Sequence, residues 1–402
     1  MPETIAHPRA RMLQPEADLL FSTARVRMTD EHAGRIRAAV RKQVDWIGLI
    51  QLAIQHDTTA LLYRNLRCVC PDSVPPGVLE PLAARFRMQT AEARYRAEKL
   101  LRVLSALEDH GIFAVAYKGP ILSQRLFGDL SLREFSDLDI VIRERDLRKA
   151  RDVMLSHGYQ LAFPRKEMTK IGKYARTNRE LLFRQIDSPR LVELHWHFMI
   201  RSARVQQDPE RFLRRMETIH FAGANVRSLP LETYFLVLSM HATKHKWRKL
   251  KLICDIAEIL QSPDVDWNYV LREAEDLGLR RMLAIGVLLA EEPLGILAPA
   301  RLASGLKIDR TTRDLAMECR KALLEEPDKY WRAEADYKFL LRTRERLQDR
   351  ATIYLKDRLL ARITPDERDR QLVRMPDSLS GLYYFVRPVR LVWEKITERS
   401  TG

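Results

Sequence analysis

The sequence predicts an α+β fold in which a β-sheet core lies between two helical regions. Apolar residues recur at intervals of three and four through much of residues 31–111, which is typical of amphipathic helices. Between residues 112 and 228 the pattern changes to short apolar or alternating runs, and beyond Pro230 it becomes helical again. The predicted divisions are a loose lead-in (1–30), an N-terminal helical region (31–111), an α/β core (112–228) and a C-terminal helical domain (229–402).

The N-terminal helical region contains a proline-rich break. Residues 31–66 have helical periodicity, and the sequence CPDSVPPG at 70–77 interrupts it because three prolines and a glycine do not continue a helix. A long helix is predicted over 78–110, with Gly111 as its stop signal. Residues 1–30 carry prolines and charges without clear periodicity, so the sequence predicts no regular structure there.

Four short runs in the core are predicted to be β-strands. They are IFAVAY (112–117), DLDIVI (137–142), ELLFRQI (180–186) and LVELHW (191–196). A helix is predicted between the first two strands, and the sequence ERDLRKARDVMLSHG predicts another after the second. In the C-terminal domain helices are predicted near 231–246, 248–261, 267–292 and 310–360. The tail PDSLSGLYYFVRPVRLVWEKI is predicted to form an amphipathic, aromatic and basic helix or hairpin.

Composition limits the class of protein. The 402 residues include 69 Lys and Arg against 54 Asp and Glu, and the net charge of +15 favours polyanionic partners such as nucleotides or nucleic acid. The 4 cysteines lack the second pair that a zinc site would need, which indicates reduced thiols. No stretch approaches the roughly 20 apolar residues of a membrane span. We therefore expect a soluble, cytoplasmic protein.

Two aspartates, Asp137 and Asp139, lie one residue apart at the head of an apolar run. In a strand they point to the same side, about 7 Å apart, while Leu138, Ile140 and Ile142 point to the other. Parallel carboxylates repel each other unless a positive charge lies between them, and a hard divalent cation such as Mg²⁺ fits that position. The alternative is an aspartate pair that only ends a strand or caps a helix.

The sequence Lys118-Gly119-Pro120 lies one predicted helix before these aspartates. Glycine allows close approach to the backbone, and the N–H groups at a helix N-terminus attract anions, so this turn is a candidate phosphate site. Proline is tolerated at the first position of a helix. The alternative is a tight strand-to-helix turn with no ligand. A phosphate site beside a metal site is what a nucleoside triphosphate with Mg²⁺ requires.

A third carboxylate would complete a two-metal site, in which the ions lie about 3.5 to 4 Å apart. Glu193 in LVELHWHF is the best candidate because it faces opposite to its apolar neighbours, and Glu180 is the rival. His195 and His197 follow Glu193 at a spacing that suits a transition metal such as zinc, although no further Cys or His lies at ligand spacing. The other interpretation is that these rings pack against the sheet.

The segments KG…R-x-x-SDLDIVI, VELHW and SMHATKHKWRKLKLICDIAEIL together resemble the uncharacterised bacterial nucleotidyltransferases of the DNA polymerase β superfamily. They are also more distantly similar to the nucleotidyltransferase toxins of toxin–antitoxin pairs. The tail ITPDERDRQLVRMPDSLSGLYYFVRPVRL resembles the ending of the bacterial proteins, so the resemblance covers nearly the whole chain. It implies a mixed sheet of the polymerase β type, with helical regions on either side.

The resemblance also implies roles for particular residues. Asp137, Asp139 and Glu193 match the catalytic, metal-binding acids, and Gly119 matches the turn glycine. Pro120 replaces the usual second small residue and removes one backbone donor, and 16 residues separate it from Asp137, more than is usual in the superfamily. The residues implied to bind nucleotide in and before the acidic strand are Lys118, Gly119, Arg133 and Ser136.

The segment 241–255 has two interpretations. Its five lysines and arginines either form a solvated helix face, or they close on the nucleotide from the second domain. In the second case Lys251 contacts phosphate and Asp255, four residues later, orients that lysine, as in the similar helix of the toxins. His241 and His245 share a helix face and are equally consistent with packing.

The function predicted from these features is transfer of a nucleoside monophosphate from an NTP to an acceptor hydroxyl, with release of pyrophosphate. Two Mg²⁺ ions are expected as cofactors, with Mn²⁺ as a substitute, and the expected partners are the NTP and an acceptor that is a small molecule, a peptide or protein, or RNA. One alternative is a nucleotide-binding or scaffold module without catalysis, which the Gly-Pro turn favours. The other is an RNA-directed nucleotidyltransferase, which the net charge of +15 favours.

Overall fold

The structure is a computed structural model, and the description covers most of the chain. The described residues are 14–162, 180–185, 191–198, 210–323, 333–355, 365, 369, 372–373, 375 and 377–400. Parts of the predicted strand at 180–186, of the predicted helix at 310–360 and of the tail lie outside them.

The N-terminal helical region begins earlier than the sequence predicts. Its helices are α1 (Gln14–Thr23), α2 (Asp30–Val40), α3 (Trp46–Gln55), α4 (Thr59–Val69) and α5 (Pro76–Asp109). Helix α1 lies within the segment predicted to be loose, and it buries Leu19 and Leu20 against the next helices. Its low amphipathicity explains why periodicity did not indicate it. Helix α5 ends as predicted, with Gly111 at φ +65° just after it.

A five-stranded sheet forms the core that follows. Its elements in chain order are β1 (Ala114–Ala116), α6 (Pro120–Phe127), β2 (Leu138–Ile142), α7 (Leu147–Ser156), β3 (Tyr159–Leu161), β4 (Glu180–Gln185) and β5 (Leu191–His195). The strand order is β1-β2-β5-β4-β3, with β2 and β5 parallel and the other neighbours antiparallel. A separate hairpin of β6 (Glu217–Phe221) and β7 (Ala224–Ser228) is the last part of this region along the chain. The predicted strands are confirmed with shorter bounds, and β3, β6 and β7 were not predicted.

The two faces of β2 pack against different cores. Leu138, Ile140 and Ile142 lie in the apolar cluster that also contains residues of α5 and α7. Val141 faces the other way, into the cluster built mainly by the C-terminal helices. The predicted alternation along this strand is therefore confirmed. The strand is buried on both faces, however, so Asp139 lies beneath other elements and is only 2% exposed.

The C-terminal region is helical, as predicted. Its helices are α8 (Leu231–Lys244), α9 (Leu250–Leu260), α10 (Trp267–Leu277), α11 (Arg280–Leu294), α12 (Ala300–Gly305), α13 (Arg310–Leu323), α14 (Ala333–Arg342), α15 (Leu347–Tyr354) and α16 (Tyr383–Ser400). The single helix predicted over 267–292 is two helices, because Gly278 adopts a left-handed conformation between them. Within the described part of the chain, none of these helices is both long and apolar enough to span a membrane.

The turn between α8 and α9 has an unusual backbone. Lys246 and Trp247 both have positive φ values, 51° and 55°, although neither is glycine. Such conformations are costly and persist where packing fixes them. Trp247 is fully buried, and its ring lies against Gly286 of α11, where a side-chain Cβ would come within 2.6 Å of the ring. The shape of this turn is therefore set by packing against α11.

Candidate active site

Two acidic side chains lie side by side at the centre of the sheet. Asp139 of β2 and Glu193 of β5 are directly paired in the parallel register, so both project from the face opposite the α5–α7 core. His195 lies two residues further along β5 on the same face. Donor atoms from these three residues all lie within 4.8 Å of one another. The parallel pairing of β2 with β5 is thus what brings the predicted third carboxylate to the first strand.

The imidazole of His195 lies between the two carboxylates. Its Nε2 is 3.1 Å from Oδ1 of Asp139 and 3.3 Å from Oε2 of Glu193, and the residue is fully buried. Its Nδ1 is 3.7 Å from Oε2 of Glu180, the residue paired with it on β4. Burial disfavours the charged ring, but the hydrogen bonds to Asp139 and Glu193 outweigh burial and raise the pKa of His195.

Lys118 also reaches Asp139. Its Nζ lies 2.7 Å from Oδ1 of Asp139, and both side chains are buried. Burial alone would raise the pKa of Asp139, but Lys118 and the hydrogen bond to His195 lower this pKa far below its ordinary value. Burial also opposes the charge of Lys118, and Asp139 more than compensates and raises the pKa of that amine. Asp139 is therefore ionised, with two cationic or donor groups at one of its oxygens.

Asp137 occupies a different position from its neighbour. It precedes β2 and is half-buried in the wall of the adjacent cavity. Among the residues that the structure describes, it does not belong to the 4.8 Å cluster of donor atoms. Burial raises its pKa, and the negative charge of Asp139 raises it further. The structure thus brings together two of the three predicted acids, with Asp137 beside them.

The turn at Gly119 fits tightly against the chain before β2. Gly119 has φ +63°, and a Cβ there would lie 3.1 Å from the backbone oxygen of Asp137. Pro120 occupies the first position of α6, as predicted. A glycine is therefore required both by the backbone conformation and by the close approach to Asp137, and the helix N-terminus is placed next to the acidic residues.

Arg133 is held by Asp255 of α9. Its Nε and one terminal nitrogen donate to the two carboxylate oxygens at 2.7 and 2.9 Å, and both side chains are almost completely buried. This planar, two-bond pair joins the loop before β2 to the C-terminal helices. The sequence interpretation that Asp255 orients Lys251 is wrong, since Asp255 binds Arg133 instead.

Lys251 is oriented by other groups. Its Nζ lies 2.7 Å from Oδ2 of Asp57 and donates to the backbone oxygen of Glu134 at 3.2 Å. Lys249 shares the same Asp57 oxygen at 2.6 Å. Burial lowers the pKa of Lys251, and the neighbouring charge of Arg133 lowers it further. The N-terminal helical region, through Asp57, therefore fixes the basic segment that the sequence singled out.

A cavity of about 370 Å³ lies between the acidic strands and this basic segment. The lining includes Ser136 and Gly119, two residues predicted from the sequence to bind nucleotide. Most of its other polar residues are basic. The Lys and Arg residues in its wall are Lys118, Arg133, Lys244, Lys246, Arg248, Lys249 and Lys251. Asp137 and Asp139 are the acidic residues of the lining. The cavity thus has cationic walls around a carboxylate base.

His241 and His245 line the cavity as well. Their rings lie 4.7 Å apart between centroids, as expected for neighbours on one helix face. Burial lowers the pKa of His245 to about 4, with Lys244 adding to the effect, so the ring is neutral near pH 7. The pKa of His241 is also well below its ordinary value, chiefly because of burial and then of Lys118.

Sequence reasoning missed the place of His195 in the acidic cluster and of Glu180 behind its ring. A signal existed, because His195 alternates with Glu193 on a strand and therefore shares its face. The zinc interpretation paired His195 with His197, which is not part of the cluster among the described residues. From other strands, the acidic side chains nearest to the ring of His195 are Asp139 on β2 and Glu180 on β4. The sequence does not show which residues of these strands pair with β5.

The donor set fits a divalent metal ion. Carboxylate oxygens are the ligands that Mg²⁺ and Mn²⁺ prefer, and an imidazole nitrogen suits transition metals. Two carboxylates and an imidazole converge here within 4.8 Å, and one of the carboxylates, that of Asp139, lines the adjacent cavity. A metal bound there would be shared between β2 and β5.

A mixed sheet with a pair of acids and an adjacent cationic cavity is an arrangement suited to a protein that binds an anionic ligand. The sequence profile of a family described as "Uncharacterised nucleotidyltransferase" matches residues 42–295, more than half of the chain. The chain therefore belongs to this nucleotidyltransferase family. No curated protein and no solved structure matches the chain. The tail segment that resembles the bacterial proteins lies beyond the matched residues.

Proposed function

We propose that the protein transfers a nucleoside monophosphate from a metal-bound NTP to an acceptor hydroxyl and releases pyrophosphate. The observation that carries this proposal is the pairing of Asp139 with Glu193 on parallel strands, with Asp139 in the lining of a basic cavity. We further propose that the sheet is a core of the polymerase β type, since the glycine turn before a helix and the acids on two strands follow that order along the chain.

The acids have distinct roles in this proposal. Asp139, with its strongly lowered pKa, would be an anionic ligand of a divalent cation, and Asp137 in the cavity wall would be a further ligand. Glu193 would also bind metal or would accept the proton of the acceptor hydroxyl. Bound Mg²⁺ or Mn²⁺ would supply charge stabilisation at the phosphate oxygens. The remaining catalytic contribution comes from positioning by the protein.

The nucleotide is held by the cationic walls. Lys118 lies beside Asp139, where it neutralises a phosphate oxygen close to the cation, and Gly119 allows the backbone to approach. Ser136 is an exposed hydroxyl in the cavity wall. Lys251 is the phosphate contact on the helical side, and Asp255 acts indirectly because it fixes Arg133. The acceptor is a small molecule, a peptide or protein, or RNA.

The test is incubation of the purified full chain with each α-³²P-labelled NTP, Mg²⁺ or Mn²⁺, and a panel of acceptors that includes host RNA, protein and small-molecule fractions. We expect one acceptor fraction to take up label and pyrophosphate to appear. Asp139→Asn should remove both signals. The matched control is Asp72→Asn, an exposed aspartate in the loop before α5, which should leave them unchanged.

One specific observation favours the alternative of a nucleotide-binding module without catalysis. Pro120 removes a backbone donor at the start of α6, and Lys118 already lies 2.7 Å from Asp139. That alternative predicts calorimetric binding of Mg-ATP with no label transfer to any fraction. If RNA is the acceptor, its affinity should fall steeply as salt increases.

A further inference from the structure

We propose that His195 is a metal ligand, so that Asp139, Glu193 and His195 form a mixed oxygen and nitrogen site that prefers Mn²⁺ to Mg²⁺. This inference deepens the proposed function and rests on it, because it concerns the cation of the same site. It differs from an all-carboxylate site in one respect: the cation preference is set by an imidazole.

The distances within the cluster are those of neighbouring ligands on one metal ion. Donor atoms at adjacent corners of an octahedron with bonds of about 2.1 Å lie about 3 Å apart. Nε2 of His195 lies 3.1 Å from Oδ1 of Asp139 and 3.3 Å from Oε2 of Glu193. A small movement of the carboxylates, with release to solvent of the proton that Nε2 shares with them, would place all three atoms around a single cation.

A carboxylate also lies behind the imidazole. Metal-bound histidines usually direct their other ring nitrogen to a carboxylate or a carbonyl, which fixes the ring orientation. Nδ1 of His195 faces Oε2 of Glu180 at 3.7 Å, on the adjacent strand β4. Glu180 is partly exposed, whereas His195 is fully buried. This separation is longer than a hydrogen bond, and Nδ1 is a buried atom without a hydrogen-bond partner among the described residues, so a small approach of Glu180 would be needed to orient the ring of a metal-bound His195.

The donor types decide between the two cations. Mg²⁺ takes oxygen ligands almost without exception and keeps several waters, whereas first-row transition metals accept imidazole nitrogen readily. Mn²⁺ shares the octahedral geometry and carboxylate preference of Mg²⁺ and lies within the transition series. Lys118, 2.7 Å from Asp139, adds positive charge next to the site, which disfavours a weakly held cation. A nitrogen ligand would therefore add binding energy for Mn²⁺ that Mg²⁺ does not gain.

The direct test is pulsed EPR of Mn²⁺ added to the wild-type full chain without nucleotide. We expect the EPR signal of Mn²⁺ to show modulation from a directly coordinated nitrogen-14. When the protein is labelled with ¹⁵N-histidine, coupling to nitrogen-15 should replace it. This measurement needs no variant, so it does not depend on how well a substituted protein folds. Mn²⁺ binding without any nitrogen coupling would overturn the proposal.

Calorimetry with Mn²⁺ and with Mg²⁺ gives a second, quantitative measure. We expect His195→Asn to weaken Mn²⁺ binding by more than about tenfold and to change Mg²⁺ binding much less, so that the preference narrows. Glu180→Gln should weaken Mn²⁺ binding by roughly tenfold through the orientation of the ring. The matched control is His197→Asn, two residues away and outside the cluster, which should retain both the nitrogen signal and the preference. Equal losses for both cations in His195→Asn would contradict the proposal.

The outcomes separate this inference from the proposed function. A nitrogen-coupled Mn²⁺ site without label transfer to any acceptor would retain the metal assignment and remove the transferase proposal. Suppose instead that label is transferred with Mn²⁺ or Mg²⁺, but that no nitrogen coupling appears and His195→Asn keeps the cation preference. That outcome would retain the transferase proposal and remove the metal assignment.

Discussion

The sheet wall of the cavity carries Asp137 and Asp139, the helical wall carries the basic segment, and the two walls are fixed in different ways. On the sheet wall, Asp139 pairs with Lys118 and His195, which belong to the same α/β core. On the helical wall, Lys249 and Lys251 pair with Asp57, in the turn between α3 and α4. The comparison teaches that the partners of the acid come from its own core, whereas the lysines are fixed by a carboxylate of the N-terminal helical region. Changes to the sheet wall should alter turnover, and changes behind the helical wall should alter stability.

The largest effect is expected on the sheet wall. Asp139→Asn keeps the size of the side chain but removes the charge that holds a cation, so turnover should fall by at least about 1,000-fold. The radiolabelled NTP assay measures the loss, and circular dichroism reports whether the fold is retained. Turnover equal to that of the wild type would show that the two walls do not differ as described.

The next largest effect is expected on stability, at the buried ion pair between Arg133 and Asp255. Asp255→Asn leaves the buried guanidinium of Arg133 without its anion, which should lower the free energy of unfolding by about 3 to 5 kcal/mol. Urea denaturation measures the change. The control is Glu31→Gln, which breaks the exposed pair with Arg35 and should cost about 0.5 kcal/mol or less. Similar losses for the two variants would remove the distinction between a fixed wall and a surface pair.

A third prediction concerns His56, which holds the start of α9. Its Nε2 donates to the carbonyl oxygen of Leu323 at 2.9 Å, and its Nδ1 accepts from the backbone N–H of Leu250 at 3.3 Å. Burial lowers the pKa of His56 to about 4, below the ordinary 6.5, so the unfolded chain binds the proton more readily between these values. The stability that neutral His56 contributes is therefore complete above about pH 6.5 and is lost as the pH falls towards 4.

The loss from this one group should be about 2 kcal/mol between pH 7 and pH 5. Urea unfolding at both pH values measures it, and the comparison is with His56→Gln, which has no titrating ring. We expect the variant to show a shallower fall in stability over this range. A variant that falls as steeply as the wild type would assign the pH dependence to other groups.

The smallest effect is expected at the turn beside the acids. Gly119→Ala should lower the free energy of unfolding by about 1 to 2 kcal/mol because of its positive φ. The contact of the new Cβ with the backbone oxygen of Asp137 should add to that cost. Gly128→Ala is the matched control, since Gly128 has φ +68° and nothing within 4 Å of the position of a Cβ. Thermal unfolding of both variants measures the combined contribution of the close approach and of the different ψ, −133° at Gly119 and −3° at Gly128, and equal shifts would show that neither contributes.

Local patterns in the sequence predicted much of the sheet wall. Alternation along β2 and β5 placed Asp139 and Glu193 each opposite its own apolar face, and both placements are observed. The pairing itself depends on which strand lies next to β2, and this is decided by tertiary packing. The position of His195 between the carboxylates follows from that pairing, so the sequence alone did not indicate it.

Ion pairs across the cavity were less predictable. The spacing of Lys251 and Asp255 on one helix favoured an interaction between them, as local pairs often form. In the structure Asp255 binds Arg133, a residue 122 positions away, and Lys251 binds Asp57. A fully buried guanidinium requires a two-bond carboxylate partner more strongly than the partly exposed Lys251 requires a neighbour on its own helix, and that requirement overrides helix spacing. Helix α1 was missed for a related reason, because its buried residues are specified by the helices around it.

The separation in sequence between Arg133 and Asp255 also sets an order of assembly during synthesis. The guanidinium leaves the ribosome well before the carboxylate that neutralises it, and His195 follows Asp139 by 56 positions. Such distant partners make for slow folding, because the intervening chain must be ordered before they meet. A nascent chain that ends between these residues therefore carries a guanidinium without its carboxylate partner, and one that ends before α8 also lacks most of the basic residues that line the cavity.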